Sequence, residues 1–220
     1  MRTAYLIMGA IGSGKSAIAD FVLSDPALDN LEYVGSDIYK HKFFGTATDD
    51  VKRGYRCADE LAFYRIEQIC KTNRDFAYEI CPTNSNKIET IKHLLRKYEY
   101  SVVIFFVGTE RNEINIVRCK NREANGADPV PGDKIRSRYD QVLNRALEMI
   151  QLSKTIYFID NSMETPRMIA SISDNAISIF DDTCRWFKTH IQQKLNLTIP
   201  TNGLRRISNK NWFRRTGRTL

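Results

Sequence analysis

No apolar run in the sequence approaches the roughly 18 residues that a membrane span needs, which excludes a transmembrane helix. Met1-Arg2-Thr3 leads directly into a strand-like segment instead of a signal-peptide pattern, so the expected setting is the cytoplasm. Cysteine is sparse and unpatterned. Cys57, Cys70, Cys81, Cys119 and Cys184 are odd in number and never spaced C-x₂-C, which leaves no disulfide framework or zinc site and reads instead as buried free thiols. Internal repeats and low-complexity tracts are missing too. So are acids beyond Thr201, where Arg205, Arg206, Lys210, Arg214, Arg215 and Arg218 stand uncompensated. The net charge of +7 is therefore a property of the tail and not of the folded part.

What is present is enough chain, 220 residues, for one sizeable core: a single domain over 1–200 followed by a basic tail over 201–220. Apolar runs rich in strand formers occur at Thr3 to Met8, Glu32 to Ser36, Asp75 to Cys81, Ser101 to Val107 and Thr155 to Asp160. Segments with helical periodicity lie between them, at Lys15 to Leu23, Asp59 to Lys71, Ile88 to Tyr98, Glu110 to Arg122 and Asp133 to Leu152. Strands alternating with helices predict crossover connections and a parallel sheet covered on both faces. The expected fold is an α/β three-layer sandwich with about five parallel strands. A small hairpin over Met168 to Phe180 and a helix around Asp182 to Leu195 complete it.

Between the first strand and the first helix lies Gly9-Ala10-Ile11-Gly12-Ser13-Gly14-Lys15-Ser16, the pattern G-x-x-x-x-G-K-[ST]. Its glycines let successive backbone N–H groups turn toward phosphates at a helix N-terminus, where the dipole also favours negative charge. Lys15 is placed to neutralise the β- and γ-phosphates of ATP, and the Ser16 hydroxyl to ligate Mg²⁺. The bare pattern arises by chance in about one chain of this length in a hundred, and the strand before it and helix after it make accident far rarer.

Transfer needs further groups. Asp37 ends the second strand, on the sheet edge that faces the same crevice, and fits either a general base for an acceptor hydroxyl or a helix N-cap. Glu79, inside the third strand, fits either an acceptor-binding acid or a salt-bridged structural residue. Arg118 and Arg122 share one helix face, and Arg136 and Arg138 open the next helix beyond Pro129 and Pro131. A lid over about 118–140 would use Arg122 and Arg138 to stabilise charge on the transferring phosphoryl group, with Arg118 on the ATP. Asp160 ends the fifth strand and serves Mg²⁺ through water or caps the next turn; the second carboxylate near the metal is Asp37 or Asp160.

Taken in order, several motifs make the chain resemble the zeta-toxin family of P-loop kinases over roughly Ala4 to Trp186. They are the phosphate loop, Gly35-Ser36-Asp37, Phe76-Ala77-Tyr78-Glu79, Arg118 and Arg122, Val130-Pro131, Ile135-x-x-Arg138-Tyr139 and Ile159-Asp160-Asn161-Ser162. The resemblance implies a P-loop NTPase fold, Asp37 as catalytic base, Glu79 and Thr83 on the acceptor side, and the arginines as a phosphate clamp. It implies phosphorylation, with ATP and Mg²⁺, of a small anionic metabolite such as a UDP-N-acetylated amino sugar, and control by an antitoxin protein. Two segments depart from the family pattern where an acceptor would be recognised: Gly126-Ala127-Asp128 stands where Gly-Gly-His is usual, and Glu79-Ile80-Cys81-Pro82 where Glu-Thr is usual. Two other functions compete. A polynucleotide 5′-hydroxyl kinase would use the tail's Asn211-Trp212-Phe213-Arg214-Arg215, the only route to nucleic acid, and a non-catalytic ATP-binding switch would use the phosphate loop alone.

Overall fold

A computed structural model of the chain describes residues 2–28, 31–45, 51–173 and 176–195. The basic tail over 201–220 lies outside the described residues. Five strands run parallel: β1 (Thr3–Gly9), β2 (Glu32–Gly35), β3 (Phe76–Ile80), β4 (Ser101–Gly108) and β5 (Thr155–Asp160). The hairpin of β6 (Arg167–Ser173) and β7 (Ala176–Ile179) does not stand apart from them. It pairs antiparallel with β5 and extends one sheet to seven strands, in the order β2-β3-β1-β4-β5-β6-β7. The central strands are buried on both faces, which is why β4 reads as the continuous run Ser-Val-Val-Ile-Phe-Phe-Val and not as an alternation.

Alternation along each strand divides the core into two layers. On one face Leu6, Met8, Ile104, Phe106 and Phe158 pack with residues of α3 (Val51–Lys71), α4 (Ser85–Lys97) and α6 (Gly132–Ile150). On the other, Ile7, Phe105, Val107 and Ile159 meet Ile18, Ala19 and Val22 of α1 (Lys15–Leu23). The expected three-layer α/β sandwich is thus the observed one. Among the described residues, no helix is long and apolar enough to cross a membrane.

Two boundaries differ from the sequence reading in ways that bear on the site. The second strand stops at Gly35, and Ser36 and Asp37 already belong to α2 (Ser36–Phe44), so Asp37 lies in the helix's first turn. The helix expected from Asp182 to Leu195 is only α7 (Arg185–His190) followed by a short 3₁₀ turn at Gln192–Lys194. Helix α7 delivers two aromatics to the core: Trp186 stacks 5.7 Å from Phe106, and Phe187 lies 4.9 Å from Phe158. The Trp186 ring sits so close over the end of β4 that a Cβ on Gly108 would lie 2.4 Å from it.

Its indole N–H donates to Asp160 at 3.1 Å, so the tryptophan closes the sheet's C-terminal edge by packing and by a buried hydrogen bond. Trp186→Ala is expected to lower stability by about 3–5 kcal/mol, read from urea unfolding midpoints at unchanged m-value.

Candidate active site

The phosphate loop follows β1 and ends where α1 begins. Gly12 and Gly14 have φ of 75° and 89°, in the left-handed region, and both are also sterically required to be glycine. A Cβ on Gly12 would lie 2.6 Å from the Asn115 carbonyl oxygen, and one on Gly14 would lie 2.1 Å from Asn161 Nδ2. Side-chain donors hold the loop's carbonyls: Asn115 Nδ2 donates to Ile11 at 2.8 Å, Asn161 Nδ2 to Ser13 at 2.8 Å and Lys15 Nζ to Ala10 at 3.0 Å. Helix α1 has no side-chain cap and no acid in its first turn. Its unpaired N–H groups and dipole therefore remain available to an external anion.

Among the described residues, the carboxylate that bonds to this loop is that of Glu79. Ser16 Oγ donates to its Oε2 at 2.9 Å, the Tyr33 hydroxyl donates to the same oxygen, and Lys15 Nζ lies 3.6 Å from Oε1. Burial alone would raise the Glu79 pKa. The Lys15 cation and the donated hydrogen bonds from Tyr33 and Ser16 outweigh it and hold the carboxyl below its ordinary range. The structure thus brings Glu79 together with Lys15 and Ser16 on the phosphate side of the cleft.

Across the cleft, Asp37 is exposed at the start of α2, beyond the C-terminal end of β2. Around it lies a polar wall that the sequence reading missed. Ser36 Oγ and Lys87 Nζ both donate to Asp59 Oδ1, each at 2.5 Å. Lys40, one turn along from Asp37, is completely buried and pairs with Asp128 at 2.6 and 2.5 Å to its two oxygens; the Asp128 side chain is 4% exposed. The Tyr55 hydroxyl, from α3, donates to Asp128 at 3.3 Å and also neighbours Asp37. Asp128 belongs to the connection between α5 (Asn112–Ala124) and α6, so this pair ties the expected lid to the helix that carries Asp37. Thr83 sits half-buried just past β3, its N–H donating to the Cys81 carbonyl at 2.8 Å.

The arginines divide. Arg118 donates to the carbonyls of Asn161 at 2.8 Å and Met163 at 3.4 Å. It lines a cavity of about 350 Å³ with Ile114, Val117, Ser162 and Met163, directly beside the phosphate loop's Asn161 clamp. Arg122 is exposed and approaches Cys119 Sγ at 3.6 Å, while Arg138 stands half-exposed on α6 next to buried Tyr139. Asp160 is fully buried on β5, three strands from the β3 that carries Glu79, with β1 and β4 between them. Its oxygens are taken by Arg167 at 2.8 Å, Ser162 at 2.5 Å and the Trp186 indole. Polar residues at core-facing helix positions were the available signal for the missed groups. Asn115 lies one turn before buried Cys119, and Lys40 falls on the covered side of α2.

No family model and no curated protein matches the sequence. Solved structures do match its fold. The AvrRxo1-ORF1:-ORF2 complex aligns with a TM-score of 0.63 and 16% identity over 91% of this chain and 65% of that one. The PezAT chromosomal toxin–antitoxin system of Streptococcus pneumoniae aligns with a TM-score of 0.58 and 14% identity over 73% of this chain and 69% of that one. The Pnkp1/Rnl/Hen1 RNA repair complex gives 0.56 and 16% identity over 67% of this chain, which spans 46% of that one. The chain therefore covers less than half the length of the RNA-repair chain and about two thirds of the other two. Their common ground with this chain is the fold, the P-loop NTPase sandwich that the sequence predicts.

Lys40→Met leaves Asp128 buried without its cation and is expected to cost about 3–5 kcal/mol in urea unfolding. The double change Lys40→Met with Asp128→Leu should recover most of that loss, because an apolar pair avoids the desolvation penalty. The lowered pKa of Glu79 has its own signature. Its contribution to stability is complete above the ordinary carboxylate range and disappears as pH falls through the depressed folded-state value. Glu79→Gln should accordingly lose less stability between pH 7 and pH 3 than the parent chain, a comparison that thermal unfolding makes directly.

Proposed function

We propose that the chain is an ATP-dependent kinase that moves the γ-phosphate of ATP to a hydroxyl of a small anionic metabolite. By the sequence resemblance, a UDP-N-acetylated amino sugar is the leading acceptor. The observation that carries this reading is the meeting of Lys15, Ser16 and Glu79 at an uncapped helix N-terminus, with Asp37 opening a helix at the same edge of the sheet. The first three make a site for a polyphosphate and a hard cation, and the fourth makes it a transfer site.

Each group then has a task. The triphosphate lies in the loop Gly9 to Ser16, with Lys15 on its β- and γ-oxygens, and the base enters the cavity beside Arg118, between the apolar Val117 and Met163. Ser16 and Glu79 offer the hard oxygen donors that suit Mg²⁺, and Asp37, whose charge is felt at Tyr33, would join through water. The ion would supply neutralisation of the phosphate charge during transfer. Asp37 accepts the proton as the acceptor hydroxyl oxygen bonds to the γ-phosphorus and the bond to the ADP oxygen breaks. Arg122 and Arg138, on the helices either side of the connection anchored by Asp128, stabilise the charge on the phosphoryl group in transit. Glu79 and Thr83 border the acceptor side of the same crevice. An antitoxin-like protein that covers the cleft fits this reading, as does a cytoplasmic setting.

The decisive measurement incubates the protein with labelled ATP and separate UDP-sugars, nucleosides and oligonucleotides. A UDP-sugar should gain the phosphate. Labelling of an oligonucleotide 5′-hydroxyl that vanishes when 201–220 is removed would replace the metabolite reading with the polynucleotide one, and no labelling at all would favour a nucleotide switch. Asp37→Asn should cut transfer by about 10²–10⁴-fold while ATP affinity stays within a few-fold. Undiminished transfer in that variant would remove Asp37 from the base role.

A further inference from the structure

Glu79 is held on one side by the phosphate loop and on the other by Tyr33, a residue that neither the loop motif nor the family resemblance singles out. We propose that Tyr33 is a positioning residue. Its hydroxyl fixes the Glu79 carboxylate so that Ser16 and Glu79 bind a divalent cation together with nucleotide. This inference rests on the reading of Ser16 and Glu79 as the metal side of a kinase site.

The strand register explains how Tyr33 reaches. In the parallel pair β2 and β3, Tyr33 stands opposite Ala77 and Gly35 opposite Glu79. Tyr33 and Glu79 are thus diagonal neighbours on one face of the sheet, a separation that an aromatic side chain spans. Gly35 has no side chain to stand between them, and a Cβ there would already lie 3.8 Å from the Glu79 Cβ. The Tyr33 ring packs against the apolar layer of Ile7, Ile18, Ala19, Val22 and Ala77, between the sheet and the helix that carries Ser16. Its aim is therefore set by packing and not by the hydrogen bond alone.

The electrostatics agree with the geometry. Oε2 of Glu79 takes both hydroxyl donors, Ser16 at 2.9 Å and Tyr33, while Oε1 faces the Lys15 cation. With its proton on Oε2, Ser16 has lone pairs to offer a cation. Tyr33 occupies the remaining side of the same oxygen and stops the carboxylate from rotating away. Facing a carboxylate, which only accepts, the phenol is the donor of the pair. Partners of this kind behind a metal ligand are typically worth about 10–100-fold in metal affinity.

The test is calorimetric titration of the full chain with ADP, in Mg²⁺ and separately in EDTA, for the parent, Tyr33→Phe and Glu79→Gln. The Phe variant keeps the packing ring, and its thermal unfolding confirms the fold. Tyr33→Phe should reduce the Mg²⁺-dependent gain in ADP affinity by about tenfold and leave ADP affinity in EDTA within about twofold, and Glu79→Gln should abolish most of the gain. A parental gain in Tyr33→Phe, or an equal loss of ADP affinity in EDTA, overturns the proposal and leaves Tyr33 as packing. A parental gain in Glu79→Gln instead overturns the metal-side reading of Glu79 itself, separately from the transfer assay that judges the kinase.

Discussion

The hydrogen-bonded register of β1 between β3 and β4 sets Ile7 beside Glu79 and Gly9 beside Val107, and the cleft is built outward from that alignment. At Gly9 the strands are so close that a Cβ would lie 2.4 Å from the Val107 carbonyl oxygen, so β1 must end in glycine if the chain is to turn there. The same alignment brings the Glu79 carboxylate level with Lys15 and Ser16, one strand over. A slip of one residue would turn Glu79 to the opposite face of the sheet, away from Lys15 and Ser16. Apolar side chains on both faces of the strands enforce this register, which is why a polar site of such specificity can rest on an ordinary hydrophobic core.

A second constraint runs from the lid to the acceptor side. The Lys40–Asp128 pair takes two charges out of water, and such a pair seldom adds stability over apolar residues of similar size. What it does add is direction: among the described residues the buried ammonium pairs with the Asp128 carboxylate, so the connection between α5 and α6 docks on α2 where that pair can close. Tyr55 extends the contact toward Asp37. Asp128 is also where the sequence departs from the zeta-toxin pattern, and the structure supplies a physical account of that departure. The residue works as an internal counter-ion.

Much of this architecture could be read from residue order. The phosphate loop, its preceding strand and its following helix were recognisable because glycine, lysine and hydroxyl spacing is a local property, and so were the five parallel strands, whose apolar runs are local as well. Local pattern is silent where one residue answers to another far along the chain. Glu79 reads from its own segment as an acceptor-binding acid or a salt-bridged residue, and its partners Ser16 and Tyr33, 63 and 46 residues away, leave no mark there. Asp160 reads equally well as serving a metal through water or capping a turn, and the fold adds its contacts with Arg167, Ser162 and the Trp186 indole, the last 26 residues away. The segment from Met168 to Phe180 reads as a hairpin from its own residues, but nothing in them says that Ala170 pairs with Phe158.

By itself, then, the sequence determined an α/β chain with a phosphate-binding loop, since helix periodicity, strand runs and the loop's glycines act within a few residues of one another. Tertiary structure decided which carboxylate stands at Lys15 and Ser16, which lysine is buried against Asp128, and where β6 and β7 attach. Those outcomes depend on strand register and on balancing charge removed from water. Both are set between segments distant in sequence, and neither leaves a mark in the local pattern.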